Sequence, residues 1–390
     1  MYSDGCGGGL PFDCKAPALF THNVGGGGYS GLTMAVFKRR KFHVKHPDSD
    51  IAEAPQGTEA KPQEPGAIHE ENPLVPVPAT ADAQPVVATT AIVPSADSAS
   101  NNDAPLAREI AEMTRRRRIL ASENLPLPPE TRVFTVANQK GGVGKTTSTV
   151  NLAAALARTG ARVLVIDLDP QGNASTALGV EHRSDTASVY DVIINERPMA
   201  DVMQKSPEFD SLFCIPATIH LAGAEIELVS LVAREQRLRT ALDQFLAQSE
   251  VPFNYVFIDC PPSLGLLTIN AFVAAREVLI PIQCEYYALE GLSQLLKNIQ
   301  LIERHLNPVL QVSTILLTMY DGRTNLANQV AQDVRDHFPA EVLNTLIPRS
   351  VRISEAPSYG QTVISYDSNS AGSLSYREAA AEIARRGAPV

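Results

Sequence analysis

The sequence contains few cysteines and no long apolar segment, and these absences exclude several classes of protein. Its five cysteines are scattered among 390 residues without a Cys-x-x-Cys pair, so neither a disulfide framework nor a zinc or iron–sulfur site is expected, which fits a reducing cytoplasm. The eight histidines show no ligand spacing. No apolar run reaches the ~18 residues of a membrane span. The Gly-rich start does not resemble a secretory signal.

The net charge of -10 argues against a nucleic-acid partner only until its distribution is considered. Residues 47–106 contain ten acidic residues, one lysine, ten prolines and no aromatic residue. Such a segment cannot bury enough apolar surface to offset its ordering entropy. The sequence therefore predicts a disordered N-terminal tail over residues 1–104, which is Gly-rich first and then rich in proline, alanine and acids. Residues 131–390 hold 21 basic and 27 acidic residues, which leaves a net charge of only -6.

A short basic helix and a Pro-rich linker are expected between the tail and the folded domain. Asp103 is a candidate N-cap, and Pro105 suits the first helical turn. The helix would end in Arg115–Arg118, four arginines that form either a solvated helix end or a contact to DNA or a partner. Residues 105–130 are thus a segment of their own, and the folded domain is expected over residues 131–390.

From residue 131 onward, β-type runs alternate with helical runs. The β-type runs are Arg132–Asn138, Arg162–Asp167, Leu212–Ile215, Tyr255–Asp259, Glu277–Ile282, Val312–Met319 and Leu343–Ile347. Helical spacing covers Lys145–Arg158 and about residues 221–248, 264–275, 288–305, 325–337 and 375–386. Buried strands that alternate with helices predict an α/β fold with a mostly parallel sheet, covered by helices on both faces.

A Gly-rich loop with the spacing of a phosphate-binding loop follows the first β-type run and opens a helix. It comprises Lys140, Gly141, Gly142, Val143, Gly144, Lys145, Thr146 and Thr147. The glycines let backbone N–H groups surround phosphates, and the helix N-terminus adds a favourable dipole. Lys145 would contact the β- and γ-phosphates, and Thr146 would place its hydroxyl directly on Mg²⁺. The loop therefore predicts a nucleoside triphosphate with Mg²⁺ as the ligand.

Lys140 and three aspartates extend this pattern. The ordinary P-loop does not require Lys140, which is either a solvated lysine or a group that reaches the nucleotide of another subunit. Asp167 and Asp169 follow one β-type run, and Asp259 ends another. An acid after a strand is often only a helix cap, but a carboxylate there can also hold magnesium-bound water or orient the attacking water. Three such acids beside a P-loop favour the second interpretation.

Six motifs, in order, make the sequence resemble one family. They are KGGVGKTT, LDPQGNAS, FIDCPPS, EYYALEGL, TMYDGRT and IPRSVRISEAPSYG. The chain resembles the ParA/Soj chromosome-partitioning ATPases, which form the deviant Walker A branch of the P-loop NTPases. The resemblance extends from about Arg132 to the C-terminus, two-thirds of the chain. The first motif marks the superfamily, and the later ones narrow it to the ParA/Soj group.

This resemblance implies an ATP-dependent partitioning protein that forms a sandwich dimer with two nucleotides at its interface. Lys140 of each subunit would reach the other subunit's phosphates, so both Lys140 and Lys145 would act in catalysis. Gly141 would lie where the two backbones meet, and a side chain there should block dimerisation. Slow ATP hydrolysis would be accelerated by a ParB-type centromere-binding partner.

The resemblance also implies roles for the remaining site residues. Asp169 matches the aspartate that orients or activates the hydrolytic water, and Asp167 and Asp259 would hold Mg²⁺ through water. Pro348 and Ser350 match the loop that covers the adenine. The family commonly has asparagine where this chain has Ser350, which offers fewer hydrogen-bond donors.

The ATP-bound dimer of this family binds DNA without sequence preference, and Arg323 and Arg352 match the positions that we assign to this contact. The negative net charge of the domain does not forbid it, because phosphate contacts need only a local basic face that dimerisation doubles. Relatives often have lysine where this chain has Gln361, so we expect weaker DNA binding with a shallower salt dependence. The implied location is cytoplasmic and nucleoid-associated, with a chromosome or plasmid as cargo and no membrane contact.

Four other functions fit the same residues less well. A MinD-like ATPase that positions the division site at the membrane needs a C-terminal amphipathic helix, and the ending AAAEIARRGAPV is too short and polar. A relative of the nitrogenase iron protein would need cluster-ligating cysteines. A pure DNA-coating protein would not need both Lys145 and Asp169. A plasmid-type ParA that represses its own operon would carry an N-terminal helix-turn-helix, which the Pro/Ala-rich tail cannot supply.

One segment of the tail suggests a hypothesis about the gene. Lys41–His46 can be encoded by a stretch that contains the palindrome GTTTCACGTGAAAC, which resembles the site bound by the family's ParB partner. These residues are either a translated partition site or a coincidence of codons. In the first case, translation would begin downstream, at Met113 or at an alternative start codon. The codons used in the gene decide between the two.

Overall fold

The computed structural model describes residues 105–286 and 288–387. These residues fall within the compact unit Val93–Val390. The predicted tail over residues 1–104, including the segment Lys41–His46, lies outside the described residues.

An eight-stranded sheet forms the centre of the domain. Its strands are β1 Arg132–Val136, β2 Val163–Asp167, β3 Gln204–Lys205, β4 Leu212–Ile215, β5 Tyr255–Asp259, β6 Glu277–Gln283, β7 Gln311–Tyr320 and β8 Val342–Pro348. Their order in space is β3-β4-β2-β5-β1-β6-β7-β8, and every neighbouring pair is parallel except β3 with β4. The β3 strand is absent from the sequence prediction because two residues show no periodicity.

The helices of the described residues connect and cover these strands. They are α1 Pro105–Ser122, α2 Lys145–Ala157, α3 Asn173–Ala177, α4 Val189–Ile194, α5 Leu221–Leu228, α6 Arg237–Gln248, α7 Leu266–Ala274, α8 Ala288–His305, α9 Asn325–His337, α10 Val351–Glu355, α11 Val363–Tyr366 and α12 Ala371–Arg386. Two 3₁₀ turns occupy Met199–Asp201 and Ala356–Tyr359.

Both faces of the sheet are buried, as its strand composition predicts. In β5, Val256 and Ile258 pack into the cluster that includes residues of α5, α6 and α7, whereas Tyr255 and Phe257 pack into the cluster that includes α2 and α12. Alternate side chains of a strand point to opposite faces, so a strand with apolar residues at every position needs a covering layer on each side. The predicted α/β fold, with a mostly parallel sheet between two helical layers, is confirmed.

Two helix boundaries differ from the prediction. The single helix expected over residues 221–248 is two helices, α5 and α6. Between them Ala233 has a φ of 51°, a left-handed conformation that no α-helix accommodates. The last helix begins earlier than expected because Ser370 caps it, its hydroxyl accepting a hydrogen bond from the backbone N–H of Ser373.

The N-terminal helix α1 packs along α12, the last helix. Arg116 forms an ion pair with Glu378 near one end, and Arg385 pairs with Glu123 near the other, with Nε–Oε1 distances of 2.7 Å in both pairs. Glu123, which directly follows α1, comes after Arg116, just as Arg385 comes after Glu378 on α12, and the spacing is the same in both, so α1 runs parallel to α12. Because both pairs are partly exposed, each contributes at most about 1 kcal/mol.

Candidate nucleotide-binding site

The P-loop lies between the carboxyl end of β1 and the start of α2. Gly142 and Gly144 have φ angles of 74° and 87°, in the left-handed region that glycine adopts without strain. Gly144 is the N-cap of α2 and provides no side chain to satisfy the first N–H groups of the helix. The Thr318 hydroxyl of β7 donates to the Val143 carbonyl at 2.8 Å and so fixes the loop to the sheet. The loop thus presents a helix N-terminus that can receive an anion.

Lys145 lies inside this loop and has little solvent around it. Only 7% of the residue is exposed, and burial lowers the pKa of its ammonium group. Its Nζ atom makes one long contact, 3.5 Å to the carbonyl oxygen of Lys140. A buried cation with so weak a partner is poised to bind a negatively charged ligand, since a phosphate would supply the missing compensation.

Two buried aspartates end adjacent strands beside the loop. Asp167 of β2 and Asp259 of β5 are register partners, and neither is exposed. Asp167 accepts hydrogen bonds from the backbone N–H and hydroxyl of Ser175, at 2.9 and 2.7 Å. Asp259 accepts one from the Thr149 hydroxyl at 3.1 Å through Oδ1, whereas its Oδ2 atom is buried without a partner. The sheet register thus brings two of the predicted acids together, one of them incompletely satisfied.

Burial is the main cause of the altered acidity of this pair. It raises the pKa of Asp259 to about 8, with a further increase from the negative charge of Asp167, while the hydroxyls of Thr146 and Thr149 lower it. Burial also raises the pKa of Asp167, which the hydrogen bonds from Ser175 lower in part. Two carboxyl groups that resist ionisation side by side are suited to bind a cation between them, because its positive charge would favour their ionised forms.

Asp259→Asn is expected to raise the free energy of unfolding of the ligand-free protein at pH 8 by up to about 5 kcal/mol, since each unit of raised pKa corresponds to about 1.4 kcal/mol. Since the pKa of Asp259 is raised from 3.8 to about 8, the wild-type protein loses stability as pH rises through this range, whereas asparagine does not titrate. The difference between the two proteins should be smallest near pH 4 and largest near pH 8. Urea denaturation at several pH values measures it, and a difference independent of pH would contradict this account.

Asp169 lies two residues beyond the end of β2. Its backbone N–H donates to Asp167 at 3.1 Å, and its own Oδ1 accepts from the backbone N–H of Gln171 at 3.0 Å. The side chain is half-buried and makes no contact with Lys145 by a hydrogen bond. Asp169 is therefore held by its own turn at the same sheet edge as the P-loop, with one carboxylate oxygen left to act on a ligand.

Lys140 points away from the interior, in contrast to Lys145. Its Nζ atom pairs with Glu285 at 2.6 Å, and the side chains of both residues are 49% exposed. Glu285 follows β6 in the EYYALEGL motif, so the pair connects two loops at one sheet edge. An added Cβ at the neighbouring Gly141 would meet no atom within 4 Å. The outer surface of the P-loop is therefore open.

A small cavity adjoins the P-loop on the side of β8. Its volume is about 160 Å³, and it is lined by Gly144, Thr147, Thr318, Met319, Ile347, Pro348, Arg349, Ser350, Ile353, Ser354 and Tyr376. The cavity thus brings Pro348 and Ser350, which are far apart from the P-loop in sequence, next to Thr147. Ser350 is the N-cap of α10 but makes no capping hydrogen bond. Its hydroxyl is therefore not committed to the helix.

The two arginines assigned to DNA come from neighbouring loops. Tyr320 at the end of β7 pairs with Pro348 at the end of β8, so the loops that follow these strands lie side by side. Arg323 is 90% exposed and pairs with Asp321 at 2.7 Å. Arg352 pairs with Glu355 at 3.1 Å, across one turn of α10. The structure therefore places both side chains on the surface at the carboxyl edge of the sheet.

Some residues of the site were not identified from the sequence. Thr149 and Ser175 hold the buried aspartates, and Tyr376 of α12 lines the cavity and shares a hydrogen bond with Ser148 at 3.3 Å. Thr149 could have been found, because it follows Lys145 by one helical turn and faces the same way. Tyr376 could not, since no local pattern relates it to a loop more than two hundred residues away.

The cysteines, the candidate metal ligands and the helix lengths are the remaining features of the described residues that bear on the site. Cys260 and Cys284 are buried thiols, and burial raises the pKa of both. Among the described residues, no group of three or more His, Cys, Asp or Glu side chains could hold a metal ion by itself. A magnesium ion here would therefore depend on hydroxyl, water and phosphate ligands. Over the same residues, no helix has the length and apolarity of a membrane span.

Proteins of similar sequence indicate the family of this chain. A family model described as an AAA domain matches residues 131–312. The chain is 51% identical over 256 residues to the sporulation initiation inhibitor protein Soj of Bacillus subtilis, covering 66% of this chain and 99% of that protein. It is 49% identical over 258 residues to the chromosome partitioning protein ParA of Myxococcus xanthus, covering 66% of this chain and 89% of that one.

Solved structures show the same fold, and one of the two described here contains a bound nucleotide. A Mycobacterium smegmatis protein described as cobyrinic acid a,c-diamide synthase, with bound ADP and magnesium, has 38% identity and a TM-score of 0.55 over 64% of this chain and 92% of its own. The cell division ATPase MinD of Pyrococcus furiosus has 25% identity and a TM-score of 0.53, over 65% and 99%. Given its P-loop, its buried aspartates and about half identity to Soj and ParA over most of their length, the chain belongs to the ParA/Soj family of chromosome-partitioning proteins and is a P-loop ATPase.

Proposed function

We propose that this protein is an ATP-dependent partitioning ATPase that works as a nucleotide-sandwich dimer. The observation that carries the proposal is the opposite direction of two lysines on one loop. Lys145 is buried and directed at the phosphate cradle of its own subunit, whereas Lys140 is half-exposed and paired only with Glu285 on the surface. A second cation that the cradle does not need can serve the phosphates of a second subunit.

The residues beside the loop fit ATP with Mg²⁺. Thr146 would coordinate the ion directly, and Asp167 and Asp259 would hold it through water, which would also satisfy the buried Oδ2 atom of Asp259. The ion would neutralise charge on the phosphates. Asp169 would orient the attacking water and accept its proton, while Pro348 and Ser350 would bind the adenine from the adjoining cavity.

The remaining part of the proposal concerns DNA and a protein partner. Arg323 and Arg352 would contact phosphates of the nucleoid DNA without sequence preference, and a ParB-type centromere-binding protein would stimulate hydrolysis. The identity to partitioning proteins, twice that to MinD, favours this function over a MinD-like role at the membrane. The burial of Ala379, Ala380 and Ile383 of α12 in the domain core supports the same choice, because these side chains cannot insert into lipid.

Gly141→Val is expected to abolish ATP-dependent dimerisation without destabilising the monomer. An added side chain has open space within the subunit but would enter the proposed contact between two backbones. Sedimentation velocity with ATP and Mg²⁺ measures the dimer, and thermal unfolding checks the monomer. Gly291→Val is the matched control, because an added Cβ at this exposed residue also meets nothing within 4 Å. A normal dimer in the Gly141 variant would disprove the proposed interface.

ATP turnover with and without DNA and the partner tests the function as a whole. We expect slow hydrolysis by the protein alone and faster hydrolysis when duplex DNA and the partner are both present. Turnover measured with liposomes in place of DNA tests the membrane alternative. Stimulation by liposomes but not by DNA would replace the partitioning proposal with the MinD-like one.

A further inference from the structure

Strand β7 contains a bulge near its carboxyl end, beside the cavity that adjoins the P-loop. Leu317 pairs with Leu346 of β8, and the next pair is Tyr320 with Pro348. Three steps along β7 therefore match only two steps along β8, so β7 has one extra residue in this interval. Met319 lies in the interval and has a φ of 49°, a left-handed conformation that glycine adopts without strain and methionine does not. The strand thus departs from regular geometry at Met319.

The bulge changes the face of the sheet to which the following side chains point. Before it, Leu317 packs into the cluster on the side of α7, and the Thr318 hydroxyl bonds to the P-loop on the side of α2. Regular alternation would send Met319 to the α7 side and Tyr320 to the α2 side. Instead, Tyr320 packs against the same cluster as Leu317 and donates a hydrogen bond to Asn328 of α9. Met319 lines the cavity together with Thr318, so two successive residues border one cavity.

The strained backbone of Met319 is rare in this protein. Over the residues that the structure describes, the non-glycine residues with a positive φ are Glu196, Ala233 and Met319. Of these three, only Met319 lines the cavity beside the P-loop. A left-handed conformation costs free energy in a residue with a side chain, and such residues cluster at ligand sites. Bulges likewise occur beside active sites, where they redirect a side chain. Both observations point to a ligand contact by Met319.

The cavity beside Met319 has an apolar wall next to the phosphate-binding loop. Its lining includes Ile347, Pro348 and Ile353, and the two isoleucines are buried in the cluster with α2 and α12. Met319 is only half-buried, so part of its side chain is left to contact a ligand. Gly144 of the P-loop lines the same cavity. The arrangement therefore suits a ligand with an apolar ring joined to an anionic group.

We propose that Met319 is a base-binding residue, whose thioether packs against the purine ring of the nucleotide that the P-loop holds by its phosphates. The inference rests on the proposed function, which places the adenine in this cavity with Pro348 and Ser350. Methionine suits the contact because its side chain is unbranched and polarisable and interacts favourably with aromatic rings. Thr318 holds the P-loop from the same strand. The bulge thus lets consecutive residues of β7 serve the phosphate loop and the base.

Calorimetric titration of the full chain with ATP and with tripolyphosphate, both in the presence of Mg²⁺, tests the proposal. Tripolyphosphate supplies the phosphates without a base. We expect Met319→Gly and Met319→Ala each to weaken ATP binding by up to about 10-fold and to leave tripolyphosphate binding unchanged. The glycine variant also relieves the backbone strain, whereas the alanine variant retains it and removes only the thioether. Equal losses in the two variants therefore assign the effect to the side chain.

Ala233→Gly is the matched control, because it relieves the same kind of backbone strain at a residue that does not line this cavity. Its affinities for both ligands should equal those of the wild-type protein, and thermal unfolding checks that all variants fold. Failure of the wild-type protein to bind ATP would refute the proposed function itself. Wild-type binding of both ligands, with unchanged ATP affinity in the folded Met319 variants or with equal losses for ATP and tripolyphosphate, would overturn the role of Met319 alone.

Discussion

Replacing Lys145 with alanine is expected to abolish nucleotide binding. The ammonium group is buried inside the P-loop, and its one contact is the 3.5 Å approach to the Lys140 carbonyl. Asp259 and Asp169 compensate this charge in part, but it has no hydrogen-bonded counter-ion until phosphates arrive, and its removal leaves the cradle with backbone N–H groups only. Loss of one such preorganised group costs at least about 100-fold, or roughly 2.7 kcal/mol. Titration with a fluorescent ATP analogue measures the affinity, and ATP turnover should fall with it.

The stability of the Lys145 variant separates this role from a structural one. Because burial lowers the pKa of Lys145, the folded protein is already strained by its charge, and alanine should leave the thermal midpoint equal or higher. Lys297→Ala on the exposed face of α8 is the control and should bind nucleotide normally. A Lys145 variant that binds ATP like the wild-type protein would remove the central element of the proposed site.

Asp169→Ala should separate binding from hydrolysis. The carboxylate is held by the turn after β2 through Gln171 and is not hydrogen-bonded to Lys145, so its removal leaves the phosphate cradle intact. We expect ATP binding and dimerisation to persist, while turnover falls by about 10²- to 10⁴-fold, the usual contribution of a positioned general base. The ATP-bound dimer should then accumulate, which sedimentation velocity detects.

Asp169→Asn separates the contribution of the carboxylate charge to hydrolysis from that of the side-chain shape, which asparagine retains. Asparagine can still accept the hydrogen bond from Gln171, but it cannot take a proton from water. The asparagine variant should therefore lose as much turnover as the alanine variant. Wild-type turnover in either variant would exclude Asp169 from the hydrolytic step, and recovery in asparagine alone would reduce its role to positioning.

The fold and the centre of the site were predictable because their signals are local. Strands such as β5 are apolar from Tyr255 to Ile258 and therefore predict burial on both faces. The P-loop and Asp259 follow strands that end at one sheet edge, so a parallel topology alone brings them together. Continuous Val/Ile/Leu runs and glycine spacing are short-range properties, and the sequence displays them directly.

The features that escaped prediction depend on distant contacts. The break between α5 and α6 is marked by the left-handed backbone of Ala233, which no helical periodicity reveals. The partner of Arg117 could not be predicted, because the sequence does not show that α1, which precedes the domain, packs on α12 at the end of the domain. Two of the four arginines, Arg116 and Arg117, bond to the domain instead of remaining solvated. Their partners follow them by more than 250 residues.

The two ion pairs between α1 and α12 have a consequence for the direction in which α1 can dock. The charges are reversed between the pairs: Arg116 of α1 is the cation in the first, and Glu123, directly after α1, is the anion in the second. If α1 lay end for end, Arg116 would face Arg385 and Glu123 would face Glu378, two repulsive contacts in place of two attractive ones. The two pairs together therefore fix the direction of α1 along α12, even though each ion pair alone is weak.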